Sequence, residues 1–480
     1  MNYLFILYVI GWVIRVESLF MLLPFVVGLI YKEDNAIIFL QCAMLFQVIG
    51  YGLTRIKPKR HNFYSRESFV IVSLSWIIMS AIGALPFYIS REIPRYIDAL
   101  FEIVSGFTTT GASIITDLTV ISKSNLLWRS FTHWLGGMGV IVFVLIVMPM
   151  AGGYGINLIK AESTGPEVGK IVPQMKLAAF NLYAIYFSMT LIYGILLLLG
   201  GMPVFDAVCI MFGTAGTGGF AVRPDSCASY SVYLQVITTL FMVLFGINFN
   251  FYFLVIKRKF KEAFAMEEVR WFLIVYIIAS LLITFDLFKD NVNFGESLNL
   301  ATFQVSTIMS TTGYATTDFN KWSELSKGVL LLVMFIGSCA GSTAGGIKVS
   351  RFIIYVKAAV KELAFLIHPR SVKILKLDGK KIEHETVRSV NVFLFCYIVI
   401  FVVALFIVSW DNFDFETNFS AVAATLNNIG PGFGIVGPTG SFAPYSDTAK
   451  LVFIFNMLAG RLELFPMILL FTPAMWRKRG

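Results

Sequence analysis

The chain has 480 residues, a net charge of +9, 57% apolar residues and only 14% charged ones. A soluble chain of that length would form two or three domains with about a quarter of its residues charged, so the composition excludes that class and indicates a membrane protein. The positive surplus does not call for nucleic acid, because its placement along the chain has a membrane explanation.

Residues 3–31 form an apolar opening stretch that carries Arg15 and Glu17, exceeds the apolar core of a secretory signal and lacks a small-residue cleavage site. It reads as a retained helix, followed by another over 36–54; Arg15 and Glu17 read as pairing within the membrane and receive no function. Further on, uncharged windows of about 18 residues or more recur. Residues 180–199, 237–256 and 391–409 each read as a spanning helix. Basic clusters fall at Arg55, Lys57, Lys59, Arg60 and Arg66, at 257–261, at 348–381 and at Arg477, Lys478 and Arg479, with acid-rich stretches at 32–35, 286–296 and 411–416 between them. Each basic cluster follows an even number of crossings from a cytoplasmic amino terminus, which satisfies the positive-inside rule.

After the two-helix segment 1–62, one order recurs over 63–172, 173–265, 266–383 and 384–480: a spanning helix, a short half-apolar segment, a Thr/Gly-rich break and another spanning helix. The breaks are TTTGAS (108–113), AGTGGFA (215–221), STTGYAT (310–316) and NNIGPGFG (427–434), with Gly111, Gly218, Gly313 and Gly430 recurring. Asp98, Asp206, Asn299 and Asn418 open the short segments and read as N-caps. About ten residues make a helix of roughly 15 Å, about half a bilayer, so each segment reads as a re-entrant half-helix. The expected fold is an all-α integral membrane protein of four pseudo-symmetric membrane-pore-membrane repeats around one pore, plus two extra N-terminal transmembrane helices.

Taken singly, each break reads as a turn between helices. Four in matching contexts need a common partner, because irregular backbone at membrane depth survives only where it is buried in protein or lines a watery cavity. A dehydrating cation suits it: glycine lets the backbone turn its carbonyls inward, threonine adds a hydroxyl, and the half-helices aim their negative ends at the axis. Competing chemistries find little support. The five cysteines are scattered without CxxC, and the four histidines form no HExxH, with His133 reading as a packed interfacial residue. No clustered Asp, His or Cys offers an enzyme site. No GxxxxGKS/T segment is present to bind a nucleotide, and no organic cofactor is expected on this chain. A proton- or sodium-coupled secondary transporter is the alternative; it predicts inverted pairs of breaks with buried acids, whereas these breaks share one topology.

The stretch GSCAGSTAGGIK (337–348) interrupts a long helix expected over 325–366. Gly337, Ser338, Gly341, Ser342, Gly345 and Gly346 form either a small-residue helix-packing patch or an intramembrane loop across the inner pore. Arg461 lies near the middle of the last apolar segment, where an arginine costs about 2.5–3.5 kcal/mol. Two readings stand for it: a salt bridge to Glu463 or another buried acid, or a positive charge in the pore. Glu463, two residues on, falls on a different helix face. Asp98, Glu102, Asp117, Asp225 and Asp318 would concentrate cations at an outer mouth, although each taken singly reads as a cap or a solvated charge.

The stretches FEIVSGFTTTGASI, GTGGF, STTGYATTDFNKW, LNNIGPGFG, KAESTGPE and NMLAGRLELFP resemble the Trk/Ktr/HKT superfamily of potassium transporters over nearly the whole chain from residue 65, and the two leading helices resemble the TrkH branch more than KtrB. The resemblance implies a bacterial inner-membrane pore subunit, a homodimer with one K+ pathway per subunit. It implies a filter at Thr109, Thr110, Gly111 and Ala112, at Thr217, Gly218 and Gly219, at Thr311, Thr312, Gly313 and Tyr314, and at Asn428, Ile429, Gly430 and Pro431. Plant relatives with serine at the first glycine position are associated with sodium; Gly111 here favours potassium. The second break departs from the first and third at Gly216, and the fourth places Ile429 before Gly430, so the symmetry is approximate. The resemblance also makes 337–348 a gating loop and Arg461 a pore-facing barrier. It implies a cytoplasmic TrkA-like nucleotide-binding regulatory subunit docked on the basic loops 160–176, 257–270 and 351–381; those loops suit anionic membrane lipid equally.

Overall fold

The computed structural model describes residues 2–56, 65–151, 175–289, 293–369 and 374–476. The KAESTGPE loop, much of the first basic cluster and the terminal Arg477, Lys478 and Arg479 lie outside the described residues. The described chain is almost entirely helical, with one two-stranded hairpin pairing Lys376–Leu377 with Lys380–Lys381. Among the described residues six helices are long and apolar enough to cross a membrane, or seven if one bent pair is counted as a span. The protein is a multi-pass membrane protein, and its helices divide their faces accordingly: on Met175–Leu199, Leu191, Ile192, Ile195 and Leu198 are exposed while Tyr186, Tyr193 and Leu197 are buried. With lipid as solvent, an apolar outer face is stable.

Helices Tyr3–Phe20, Leu22–Ile30 and Ala36–Arg55 lead the chain. Helices Ser65–Gly83, Met175–Leu199, Glu267–Lys289 and His384–Val408 each precede a shorter helix, which Lys123–Ala151, Val232–Gly246, Glu324–Ile336 and Asp447–Arg461 respectively follow. The short helices are Tyr96–Phe107, Val204–Gly216, Phe294–Met309 and Phe415–Leu426, of 12, 13, 16 and 12 residues. At about 1.5 Å per residue they reach roughly 18–24 Å, short of the hydrocarbon thickness. Their carboxyl ends are buried: Glu102 to Phe107 are all inside the protein, as are Gly213 to Gly216, Phe303 to Met309 and Ser420 to Leu426.

The four Asx residues do not cap these helices. Arg95, Pro203, Asn293 and Asp414 occupy the cap positions, and only Asp414 caps with its side chain, accepting from Thr417 N at 2.9 Å. The Asx groups sit three to six residues past the cap and tie each short helix sideways: Asp98 to Lys450 Nζ at 2.6 Å, Asp206 to Tyr230 Oη at 2.9 Å, Asn299 to Gln235 at 2.7 Å and Asn418 to Tyr445 Oη at 3.0 Å. Partly buried polar groups at that depth are stable only when paired, and pairing across elements overrides capping.

The window 237–256 is also not one straight helix. Val232–Gly246 and Phe249–Ile256 meet at 92°, and the freed backbone groups bond to the interrupting loop: Cys339 N donates to Gly246 O (3.2 Å) and Phe249 N to Gly341 O (3.1 Å). Composition is continuous through the bend; its cause is the insertion of a distant segment. The expected interruption of 325–366 is present, as Glu324–Ile336 and Val349–Ile367 flank irregular backbone.

Candidate ion pathway

The four short helices end alike. Thr109, Thr217, Thr311 and Asn428 have φ of +55°, +56°, +56° and +55°, and two residues later Gly111, Gly219, Gly313 and Gly430 have φ of +81°, +76°, +92° and +101°. Between them, the amides of Thr110, Gly218, Thr312 and Ile429 donate back to Ser105, Gly213, Thr307 and Ala424 at 2.8–2.9 Å. That is the six-to-one bond of a Schellman cap, here with Thr or Asn in the left-handed position usually given to glycine. The shared geometry corrects the alignment of the second break by one residue. Gly219, not Gly218, corresponds to Gly111, Gly313 and Gly430; the departure lies at Gly218, opposite Thr110, Thr312 and Ile429. Backbone conformation sets this register, and Thr-Gly identity misleads because the second break has two glycines in succession.

The breaks meet in a closed circuit. A Cβ on Gly111 would lie 2.1 Å from Gly218 O, on Gly219 1.8 Å from Thr312 O, on Gly313 2.3 Å from Ile429 O, and on Gly430 2.7 Å from Thr110 O. Each oxygen thus stands against the glycine of the next break, where no side chain fits. None of these four oxygens accepts a hydrogen bond from a described residue. A buried unpaired carbonyl normally costs several kcal/mol, so four together mark a place built for something else. Among the described residues no group of three or more His, Cys, Asp or Glu side chains offers a metal site; the available ligands are peptide oxygens.

Side chains stiffen the circuit. Thr108 and Thr110 hydroxyls lie 2.8 Å apart, Ser310 and Thr312 hydroxyls 2.7 Å, and the Asn428 amide donates to Thr110 Oγ1 and Met457 O, both at 2.9 Å. Tyr314 points away from the circuit: its hydroxyl donates to Ile210 O at 3.3 Å behind the second short helix. Ala112 and Pro431 are buried beside the breaks, with Pro431 Cδ 3.0 Å from a Cβ position on Gly313.

Residues 337–348 lie against the ends of the third and fourth short helices. Ser338 Oγ donates to Met309 O (3.2 Å), Gly345 N to Thr311 Oγ1 (2.7 Å), and a Cβ on Gly345 would meet Asn427 O at 2.4 Å. Gly337, Gly341 and Gly346 adopt positive φ. Gly341 faces outward, and Ser342, half-buried, bonds to Cys339 O at 2.6 Å. Arg461 donates Nη1 to Thr343 O and Nη2 to Gly136 O, both at 2.6 Å. It is not paired with Glu463, which binds Arg351.

Several groups carry roles that the sequence hides. Glu102, expected near an outer mouth, is fully buried and paired with Arg129, so it contributes no net field there. Glu268 is buried and accepts from Ala340 N (2.6 Å) within the loop and Ser350 N (3.1 Å) just after it. Lys348 Nζ bonds to Ala344 O and closes the loop on itself. Arg129 and His133, four residues apart on Lys123–Ala151, had the one legible signal, a polar pair on one face of an apolar helix.

A family model described as cation transport protein, TrkH, matches residues 36–478. The Trk system potassium uptake protein TrkG of Escherichia coli is 34% identical, covering 97% of each chain, and TrkH of Salmonella typhimurium is 34% identical over 98% of each. The crystal structure of the potassium transporter TrkH from Vibrio parahaemolyticus superposes with a TM-score of 0.89 at 32% identity, covering 99% of this chain and 100% of that one. With its own carbonyl circuit, loop and buried arginine in view, the chain belongs to the TrkH family of cation transport proteins.

Proposed function

We propose that this protein takes up K+ through a membrane pore whose selectivity filter is the circuit of Thr110, Gly218, Thr312 and Ile429 carbonyls. The single observation that carries the reading is that these buried oxygens are unpartnered and stand in a closed ring of four. A weakly hydrated monovalent cation exchanges its water shell for such a cage and needs no side-chain acid. The short helices add the negative ends of four dipoles at the same place. On this reading residues 63–172, 173–265, 266–383 and 384–480 are four repeats, the filter residues are those expected from the sequence with the second break shifted by one, and residues 1–62 are an accessory helix pair.

Gating falls to 337–348 and Arg461. The loop lies against the carboxyl ends of two short helices, and the guanidinium joins it to helix Lys123–Ala151 through two carbonyls. A fixed positive charge there opposes cations, and displacing the loop opens the path to the cytoplasm. The regulatory partner is a cytoplasmic nucleotide-binding subunit of the TrkA type, acting on a homodimer in the bacterial inner membrane.

Purified protein in liposomes tests the function. K+ flux should follow the K+ electrochemical gradient, exceed Na+ flux and be indifferent to an imposed pH gradient; flux driven by pH alone would replace the pore with coupled transport.

A further inference from the structure

Two of the breaks hold themselves with hydroxyls on either side of the left-handed residue, Thr108 with Thr110 and Ser310 with Thr312, and the fourth through the left-handed residue itself, Asn428, whose amide bonds to Thr110 Oγ1 and Met457 O. In the second break both corresponding positions are glycine, Gly216 and Gly218. Its own side-chain bond is local, from Thr217 Oγ1 to Gly216 O at 2.6 Å, and no side-chain tie spans the left-handed residue.

Helix Lys123–Ala151 supplies one. His133 is fully buried, with Nδ1 2.8 Å from Gly106 O in the first short helix and Nε2 accepting from Phe220 N at 3.2 Å after the second break. One nitrogen facing an acceptor and the other a donor fixes a neutral ring with its hydrogen on Nδ1. The imidazole fills the space beside the glycines: a Cβ on Gly218 would come within 2.2 Å of His133 Cγ, and one on Gly216 within 2.2 Å of His133 O. One turn earlier, Arg129 pairs with Glu102, donates Nη1 to Ala221 O at 3.0 Å and lies 3.7 Å over the Phe220 ring. Glu102 in turn accepts from Ser113 Oγ (3.0 Å) and Ile114 N (2.9 Å) beyond the first break.

We infer that Arg129, His133 and Glu102 are positioning residues for cation selectivity: they hold the Gly218 carbonyl in register where the other three quadrants use their own side chains. The inference rests on the filter reading above and deepens it. Discrimination among alkali cations depends on where the carbonyl dipoles stand and how freely they move. Releasing one oxygen of four lets the ring contract around a smaller ion, so loss of the brace lowers the preference for K+ over Na+.

The test is the ratio of K+ to Na+ flux in liposomes for protein that elutes as a folded species in detergent. His133→Ala should lower the ratio roughly fivefold or more, the factor associated with one lost buried hydrogen bond. His133→Gln, which keeps a donor and an acceptor, should retain most of it. Gly218→Thr collides with the imidazole and should lose flux, whereas Gly218→Thr combined with His133→Ala removes the clash and should recover flux but not the ratio, since Gly216 offers the new hydroxyl no partner. An unchanged ratio in His133→Ala, or equal losses in the Ala and Gln variants, overturns the inference. If His133→Ala does not fold, the Gln variant and the double variant, its flux recovered over Gly218→Thr and its ratio still low, decide it. A wild-type protein without K+ preference would instead remove the filter reading itself.

Discussion

A Cβ on Gly430 would sit 2.7 Å from the carbonyl oxygen of Thr110, so the last break of the chain closes on the first. The same relation is tighter between Gly219 and Thr312 O, at 1.8 Å, with φ of +76° at the glycine. Gly219→Ala therefore meets a steric block and a left-handed backbone together and should abolish K+ uptake in cells that depend on this protein. Gly201→Ala is the control: its φ is +81°, but nothing lies within 4 Å. That variant should cost about 1 kcal/mol of stability and support normal growth.

Much of this was legible in the sequence, and what was not has a physical cause. Long uncharged windows announce spanning helices because lipid tolerates little else, and the recurrence of the breaks announces the circuit. The register of the second break was hidden because its left-handed residue is Thr217 and glycines stand on both sides of it. The right-angle bend after Gly246 was hidden because it is made by residues 337–348, about ninety positions away. Glu102 misread as a surface charge because its partner Arg129 belongs to another helix.

Arg461 bonds to Thr343 O and Gly136 O with one guanidinium, a span that an ammonium cannot copy. Charge-assisted bonds contribute about 1.5–3 kcal/mol each. Losing one shifts a closed-to-open equilibrium about ten- to a hundredfold. Arg461→Lys, which keeps the charge and one bond, should raise K+ flux by a factor in that range, and Arg461→Ala, which loses both bonds and the charge, should raise it further. Unchanged flux in folded Arg461→Ala protein would discard the barrier.

Glu268 holds Ala340 N within the same loop and Ser350 N just after it. Two backbone donors left without their acceptor loosen the loop. Glu268→Ala should therefore raise basal flux several-fold, in the same direction as Arg461→Ala, and leave the K+ to Na+ ratio unchanged because the circuit is untouched. Glu268→Gln keeps an acceptor oxygen and should behave closer to wild type. Flux assays on the two variants, with the ratio measured in the same vesicles, separate loop anchoring from a change in the filter.

Asp414 caps the fourth short helix, outside the spanning segments. Its carboxylate takes the Thr417 hydroxyl at 2.7 Å and the Thr417 amide at 2.9 Å, and these two bonds hold its pKa below the usual aspartate value. A carboxyl whose folded pKa is depressed stabilises the fold above its unfolded pKa, and the contribution is lost as pH falls through the folded one. Replacing an N-cap Asp costs about 1 kcal/mol. Asp414→Ala should thus melt earlier than wild type near neutral pH, with the gap constant down to about pH 4 and closing at more acidic pH as the wild-type carboxyl protonates. Melting curves of the pair in detergent across that range measure it; a gap that persists unchanged below the folded pKa would mean that packing around residue 414, and not the charged cap, stabilises the helix end.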